Sequence, residues 1–132
     1  MAVLGEQMQR PLVLVAEDDD CNFKLIKAIV SQKCELLWAK NGRELLELYR
    51  ENKERADAVL LDIRMPVMDG FEAVKALRDA GATLPVIMQT AYAFNSDRER
   101  AMANGATEVL VKPLTVGVLR NCLKSYFPQL SW

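Results

Sequence analysis

Histidine is absent from all 132 residues. That absence excludes Ser-His and Cys-His nucleophile pairs, most zinc sites and any phosphohistidine carried by the chain itself. Cysteine is scarce: Cys21, Cys34 and Cys122 are odd in number, widely spaced and outside any CxxC pattern. They read as reduced, small apolar residues rather than disulfides or zinc ligands. Long apolar runs are missing too, since a stretch such as PLVLVA at 11–16 falls far short of the ~20 residues of a membrane span. The first ten residues, MAVLGEQMQR, lack the basic start and sustained apolar stretch of a secretion signal. A cytoplasmic chain without a span of its own is expected, whether whole or cut from a larger membrane-anchored protein. Charge of one sign is also lacking: 17 basic residues against 18 acidic ones leave a net charge of −1, no footprint for gripping a phosphate backbone, so direct nucleic-acid binding is not expected. Whatever chemistry occurs must run on carboxylates, lysine and hydroxyls.

What is present is a globular composition, 51% apolar and 27% charged, at a length that suits one domain. Five strand-length apolar runs begin near Leu12, Leu36, Ala58, Leu84 and Glu108. Between them lie segments of helical spacing: Leu25, Ile26, Ile29 and Val30; Leu45, Leu46, Leu48 and Tyr49; Phe71, Val74 and Leu77; a shorter one from Arg98 to Met102; and Val116, Leu119 and Leu123. The runs recur roughly every two dozen residues, the footprint of one strand, one helix and two short loops. Continuous rather than alternating apolar strands belong to a parallel sheet covered on both faces. The pattern predicts an α/β fold with a doubly wound five-stranded parallel sheet, in the common strand order 2-1-3-4-5. Asn41-Gly42, Asp69-Gly70, Ala80-Gly81 and Asn104-Gly105 supply turn punctuation where helices or strands should end. Residues 11–127 form the expected domain, with 1–10 as a loose lead-in and 128–132 as a tail, neither forming a domain of its own.

In such a sheet, ligands bind beyond the carboxyl ends of the strands. The polar residues found there are Glu17, Asp18, Asp19 and Asp20 after the first run, Asp62 after the third, Gln89-Thr90-Ala91 after the fourth and Lys112-Pro113 after the fifth. With strands one and three adjacent, Glu17, Asp18 and Asp62 converge. Three carboxylates in one crevice repel, and a hard divalent cation such as Mg²⁺, with Mn²⁺ as a substitute, is the economical remedy. Lys112 adds a positive group for a transferring phosphoryl, and the Thr90 hydroxyl can bond one of its oxygens. Each piece alone has a bland reading: EDDD as a helix amino-terminal cap, a lone Asp or Lys-Pro as a loop. Their coincidence at strand ends, in this order, carries the argument.

The LVLVAEDD opening, the AVLLDIRMPVMDGFEA block, QTAYA and GATEVLVKPL together resemble the receiver domains of two-component response regulators, and the QTAYAFNSDRERAMANGATEVLVKP stretch is similar to receivers of hybrid histidine kinases. The resemblance implies a flavodoxin-like (βα)5 fold and a phosphoacceptor at Asp62. It implies Asp18 and Asp62 as Mg²⁺ ligands, with Glu17 as an outer acidic partner and the backbone carbonyl of Arg64 also on the metal. Thr90 and Lys112 match the hydroxyl and ammonium that hold the phosphoryl group, Ala91 the small residue beside it, and Pro113 the residue after a cis peptide bond. The implied partner is a histidine kinase or histidine phosphotransfer domain; the downstream target stays open. Such a domain is no ordinary enzyme: it catalyses its own phosphorylation from phosphohistidine and its own slow dephosphorylation. Val109 departs from the family, standing where receivers often carry Tyr or Phe. Phe23, Lys24, Met65 and Met68 read as either docking or packing residues, and Gly70 as a permissive turn residue.

Three rivals share the architecture. An aspartyl-phosphate phosphohydrolase of the haloacid dehalogenase type needs an Asp two residues past the nucleophile, where Arg64 stands. A flavin carrier wants a Ser/Thr/Gly-rich phosphate loop where EDDD stands. A pseudo-receiver, an interaction module that no longer takes phosphate, is the remaining alternative.

Overall fold

The structure is a computed structural model that describes residues 10–92 and 94–132. The expected lead-in, apart from Arg10, lies outside the described residues. Among these, strands and helices alternate: β1 (Leu12–Ala16), α1 (Asp20–Val30), β2 (Glu35–Ala39), α2 (Gly42–Asn52), β3 (Ala56–Asp62), α3 (Gly70–Asp79), β4 (Val86–Thr90), α4 (Asn95–Ala103), β5 (Glu108–Val111) and α5 (Val116–Tyr126). All strands pair in parallel, as the run spacing predicts, and in the expected common order, β2-β1-β3-β4-β5.

The period-two geometry of a strand divides the apolar residues between two cores. Leu12, Leu14 and Ala16 join Val59 and Leu61 on one face, under Leu45 of α2, Val74 and Leu77 of α3 and Ala101 of α4. Val13 and Val15 join Leu60 and Ile87 on the other face, under Ile26 and Ile29 of α1 and Leu119 and Leu123 of α5. β1 and β4 are buried along their whole length, whereas the edge strands β2 and β5 are half-buried. The continuous-run pattern therefore holds in the middle of the sheet and fades at its edges.

Helix ends follow local chemistry. Asp19, Asn41 and Thr115 each accept a backbone N–H of the first turn of their helices, and Asp69 forms a reciprocal capping box with Glu72. Asn41-Gly42 and Asp69-Gly70 thus open helices rather than close strands, because an Asn or Asp side chain before a helix satisfies its free N–H groups. Gly81 and Gly105 do close helices, with φ of 91° and 110°, the left-handed region open to glycine.

Some side chains sit differently from their sequence reading, and others decide between two readings. Leu25 and Val116 are exposed, at 40% and 43%, since the buried stripes of α1 and α5 are narrower than the apolar spacing suggests. Phe23 is buried at 8% and stacks on Trp38 with ring centroids 4.0 Å apart. It is a packing residue, not an exposed docking residue. Met65 is buried and Met68 half-buried, while Val67 between them is exposed at a φ of 69°. Phe127 at the end of α5 is buried, and the tail after it folds back, with Leu130 and Trp132 packed on the α1–α5 core.

Candidate functional site

Strand register builds the site. Ala16 of β1 pairs with Leu61 of β3, so the next residues, Glu17 and Asp62, leave the sheet side by side. Asp62 pairs in turn with Gln89, and Thr90 with Val111, which places Thr90 and Lys112 along the same edge. Asp18 follows Glu17 at the turn into α1, where Asp19 takes the capping role. The acidic run is therefore split: its last two residues open a helix, as the bland reading has it, and its first two face the crevice.

Carboxylate oxygens of Glu17, Asp18 and Asp62 all lie within 4.8 Å of one another. Glu17 is fully buried, Asp62 is 5% exposed and Asp18 faces solvent. The Lys112 ammonium donates to Asp62 Oδ2 at 3.0 Å and lies 3.7 Å from Glu17 Oε1. The backbone N–H of Arg64 donates to Asp62 Oδ1 at 3.4 Å. Thr90 is buried, and its hydroxyl oxygen accepts the backbone N–H of Tyr92 at 3.1 Å. The Arg64 guanidinium lies outside the pocket over the Tyr92 ring, 5.3 Å from its centroid. The Lys112–Pro113 peptide bond is cis.

Burial, foremost, pushes the Glu17 carboxyl up to about 7; a hydrogen bond from Asn22 opposes this, the charge and hydrogen bonding of Asp62 add to it, and the Lys112 charge lowers it. Three carboxylates here face one ammonium. An all-oxygen donor set with surplus negative charge fits a hard divalent cation and not a soft metal.

Two residues that sequence reasoning left without a role complete the pocket. Gln89 is fully buried inside β4 and donates from its amide nitrogen to Glu17 Oε1 at 3.1 Å. Asn22, in the first turn of α1, donates to the same oxygen and lies 3.4 Å from Gln89 Oε1. The Trp38 indole N–H donates to the Glu17 backbone carbonyl at 2.8 Å. Gln89 reads in the sequence as the polar end of the fourth run, and its pairing opposite Asp62 is what marks it. Together these donors hold Glu17 in one orientation, so the acidic pocket is preorganised.

Comparison with known proteins agrees with this geometry. Residues 13–124 match the family model described as the response regulator receiver domain. Hybrid signal transduction histidine kinase I of Dictyostelium discoideum is 35% identical over 125 residues, covering 89% of this chain and 7% of that protein. Polar-differentiation response regulator DivK of Brucella anthropi is 35% identical over 117 residues, covering 86% of this chain and 94% of the relative. The chain thus spans a small part of the kinase and nearly all of DivK. A structure solved as the CheX–CheY–BeF3–Mg²⁺ complex from Borrelia burgdorferi superimposes with a TM-score of 0.84 at 26% identity, covering 93% of each chain.

Proposed function

Because the chain belongs to the response regulator receiver domain family of two-component signalling, we propose that it accepts a phosphoryl group from a partner's phosphohistidine onto Asp62 and relays the event as a change of surface. The observation that carries this reading is the placement of Asp62: a nearly buried carboxylate at a strand end, 3.0 Å from the Lys112 ammonium and grouped with two further carboxylates.

An oxygen of the Asp62 carboxylate attacks phosphorus in line, the P–N bond to the partner's imidazole breaks, and the imidazole leaves with the bonding pair. Lys112, already bonded to Asp62, neutralises charge on the phosphoryl oxygens, and the Thr90 hydroxyl turns from the Tyr92 N–H side to donate to one of them. Positioning rather than proton transfer does most of the catalysis, since no histidine is available as a base. Asp18 and Asp62, backed by Glu17 and the backbone carbonyl of Arg64, would hold Mg²⁺ or Mn²⁺. The ion would supply the positive charge that three carboxylates and an incoming phosphoryl group require. Later hydrolysis of the acyl phosphate resets the domain. Partners of this chemistry are a histidine kinase or a histidine phosphotransfer domain. No helix among the described residues is long and apolar enough to cross a membrane, and action in the cytoplasm is the matching proposal.

Intact-mass measurement after incubation with acetyl phosphate tests the reading. Wild type should gain one phosphoryl group with Mg²⁺ and not with excess chelator, and Asp62→Asn should gain none. A wild-type chain that stays unmodified with donor and Mg²⁺ refutes the assignment.

A further inference from the structure

Thr90 borders two spaces. One is the acidic pocket; the other is a cavity of about 130 Å³ lined also by Tyr92, Phe94, Asn95, Arg98, and Val109 and Val111 of β5. A cavity of about 150 Å³ with apolar walls is enough to admit a benzene ring, so this one is close to the size of a single aromatic side chain. Val109 and Val111 leave that space unfilled because their side chains are short. Phe94 stands at the rim, 62% exposed, stacked on Tyr92 with ring centroids 5.6 Å apart.

The two aromatic residues are not held equally. Tyr92 is tied to the site by its backbone bond to the Thr90 hydroxyl and by the Arg64 guanidinium over its ring. Phe94 is held through its backbone, whose carbonyl accepts the Arg98 N–H at 3.3 Å as α4 begins. Its ring can move without breaking a polar contact.

We propose that Phe94 is the moving part of this domain's switch, leaving its stack on Tyr92 and entering the cavity against Val109 and Val111 when the Thr90 hydroxyl turns to the phosphoryl group. The inference rests on Asp62 being the phosphoacceptor. The order of events follows from the contacts. Turning Thr90 inward withdraws the acceptor of the Tyr92 N–H, loosens the Tyr92 ring on which Phe94 stacks, and widens the cavity on the Thr90 side. A large apolar ring then exchanges solvent for the valine side chains of β5, a direction set by the hydrophobic effect. The surface around Asn95 and Arg98, which also border the cavity, loses an exposed ring, and a partner reads that loss.

The test uses the full chain with 4-fluorophenylalanine at its 4 phenylalanine positions, the Phe94 resonance being assigned from Phe94→Tyr. Acetyl phosphate and Mg²⁺ are added, intact mass is read on the same sample, and a soluble nitroxide reports exposure by line broadening. In the phosphorylated protein the Phe94 resonance should shift and its broadening should fall several-fold. Val109→Phe, which fills the cavity, should still take up the phosphoryl group while Phe94 stays as exposed as in the resting protein. A phosphorylated wild type whose Phe94 broadening is unchanged overturns the proposal, as does burial of Phe94 in phosphorylated Val109→Phe. A sample that gains no mass overturns the phosphoacceptor reading, and the switch with it, and is told apart by the mass alone.

Discussion

Adding one methyl group at Gly70 should disturb both stability and chemistry. Gly70 begins α3, and its N–H donates to the Ile63 carbonyl at 2.7 Å. Its φ is not in the left-handed region; the reason for glycine is space, not backbone freedom. A Cβ there would stand 2.4 Å from the Asp62 carbonyl oxygen, 2.7 Å from Ile63 Cα and 2.9 Å from Met88 Cε. Carbon contacts are comfortable at about 3.5 Å, so two backbone atoms must give way by roughly 1 Å. Overpacking of this kind costs about 1–3 kcal/mol, partly offset by the better helix propensity of alanine, worth at most about 1 kcal/mol. Gly70→Ala should therefore lose about 1–2 kcal/mol in urea unfolding, or several degrees in Tm. Because the displaced atoms include the carbonyl of Asp62, phosphoryl uptake should slow by about tenfold to a hundredfold, the range produced by misplacing a reacting group by an ångström. Gly117→Ala is the control: it lies in α5 with nothing within 4 Å of its added carbon and should gain about 0.4–1 kcal/mol. A Gly70→Ala protein as stable and as reactive as wild type would refute the claim that close approach of α3 fixes the position of Asp62.

Other expectations follow from contacts away from the site. Arg78 donates to the carbonyls of Gly105, Ala82 and Leu84 and to the Thr107 hydroxyl, tying the end of α3 to the loops around β4 and β5. Arg78→Ala should lower unfolding free energy by about 2–3 kcal/mol, at about 1 kcal/mol per bond with some rehydration, and a change under 0.5 kcal/mol (~, the scatter of ordinary surface substitutions) would show the clamp to be idle. Burial pushes the Cys34 thiol up to about 11 and the Cys122 thiol up to about 12, while Cys21 is exposed. A maleimide titration near neutral pH should label one thiol in the native chain and all three once it is unfolded; native labelling of Cys122 would contradict the packing of α5. Since these two thiols hold their protons in the folded state above the ordinary value of 9.0, the unfolded chain ionises first and stability should fall as pH rises past that value. A denaturation midpoint flat from pH 8 to 11 (~, spanning the ordinary thiol range) would count against it.

The fold was legible because two periodicities carry it. The runs at Leu12, Ala58 and Leu84 are buried on both faces, and they lie in the central strands, where apolar continuity is strongest. The positions of Glu17, Asp62 and Lys112 were legible for the same reason, since each stands one step beyond a run, with Asp18 one residue further. Less visible were contacts fixed by the third dimension. Phe23 was left between docking and packing by its place at the start of α1, and only the fold shows its ring meeting Trp38 on an edge strand whose own pattern is half-buried. Gln89 looked like the end of a run, and only the pairing of β3 with β4 puts it next to Glu17. Gly70 read as a turn residue, and only the packing of α3 on the end of β3 reveals the space it must leave.

The central claim is that Asp62 carries the phosphoryl group. Reductive trapping reaches it most directly: borohydride converts an aspartyl phosphate to homoserine, and peptide mass spectrometry then locates the altered residue. After treatment with a phosphodonor and Mg²⁺, the change should fall on Asp62 alone. Homoserine at Asp18, or trapping of no residue in a chain that has gained a phosphoryl group, would contradict it.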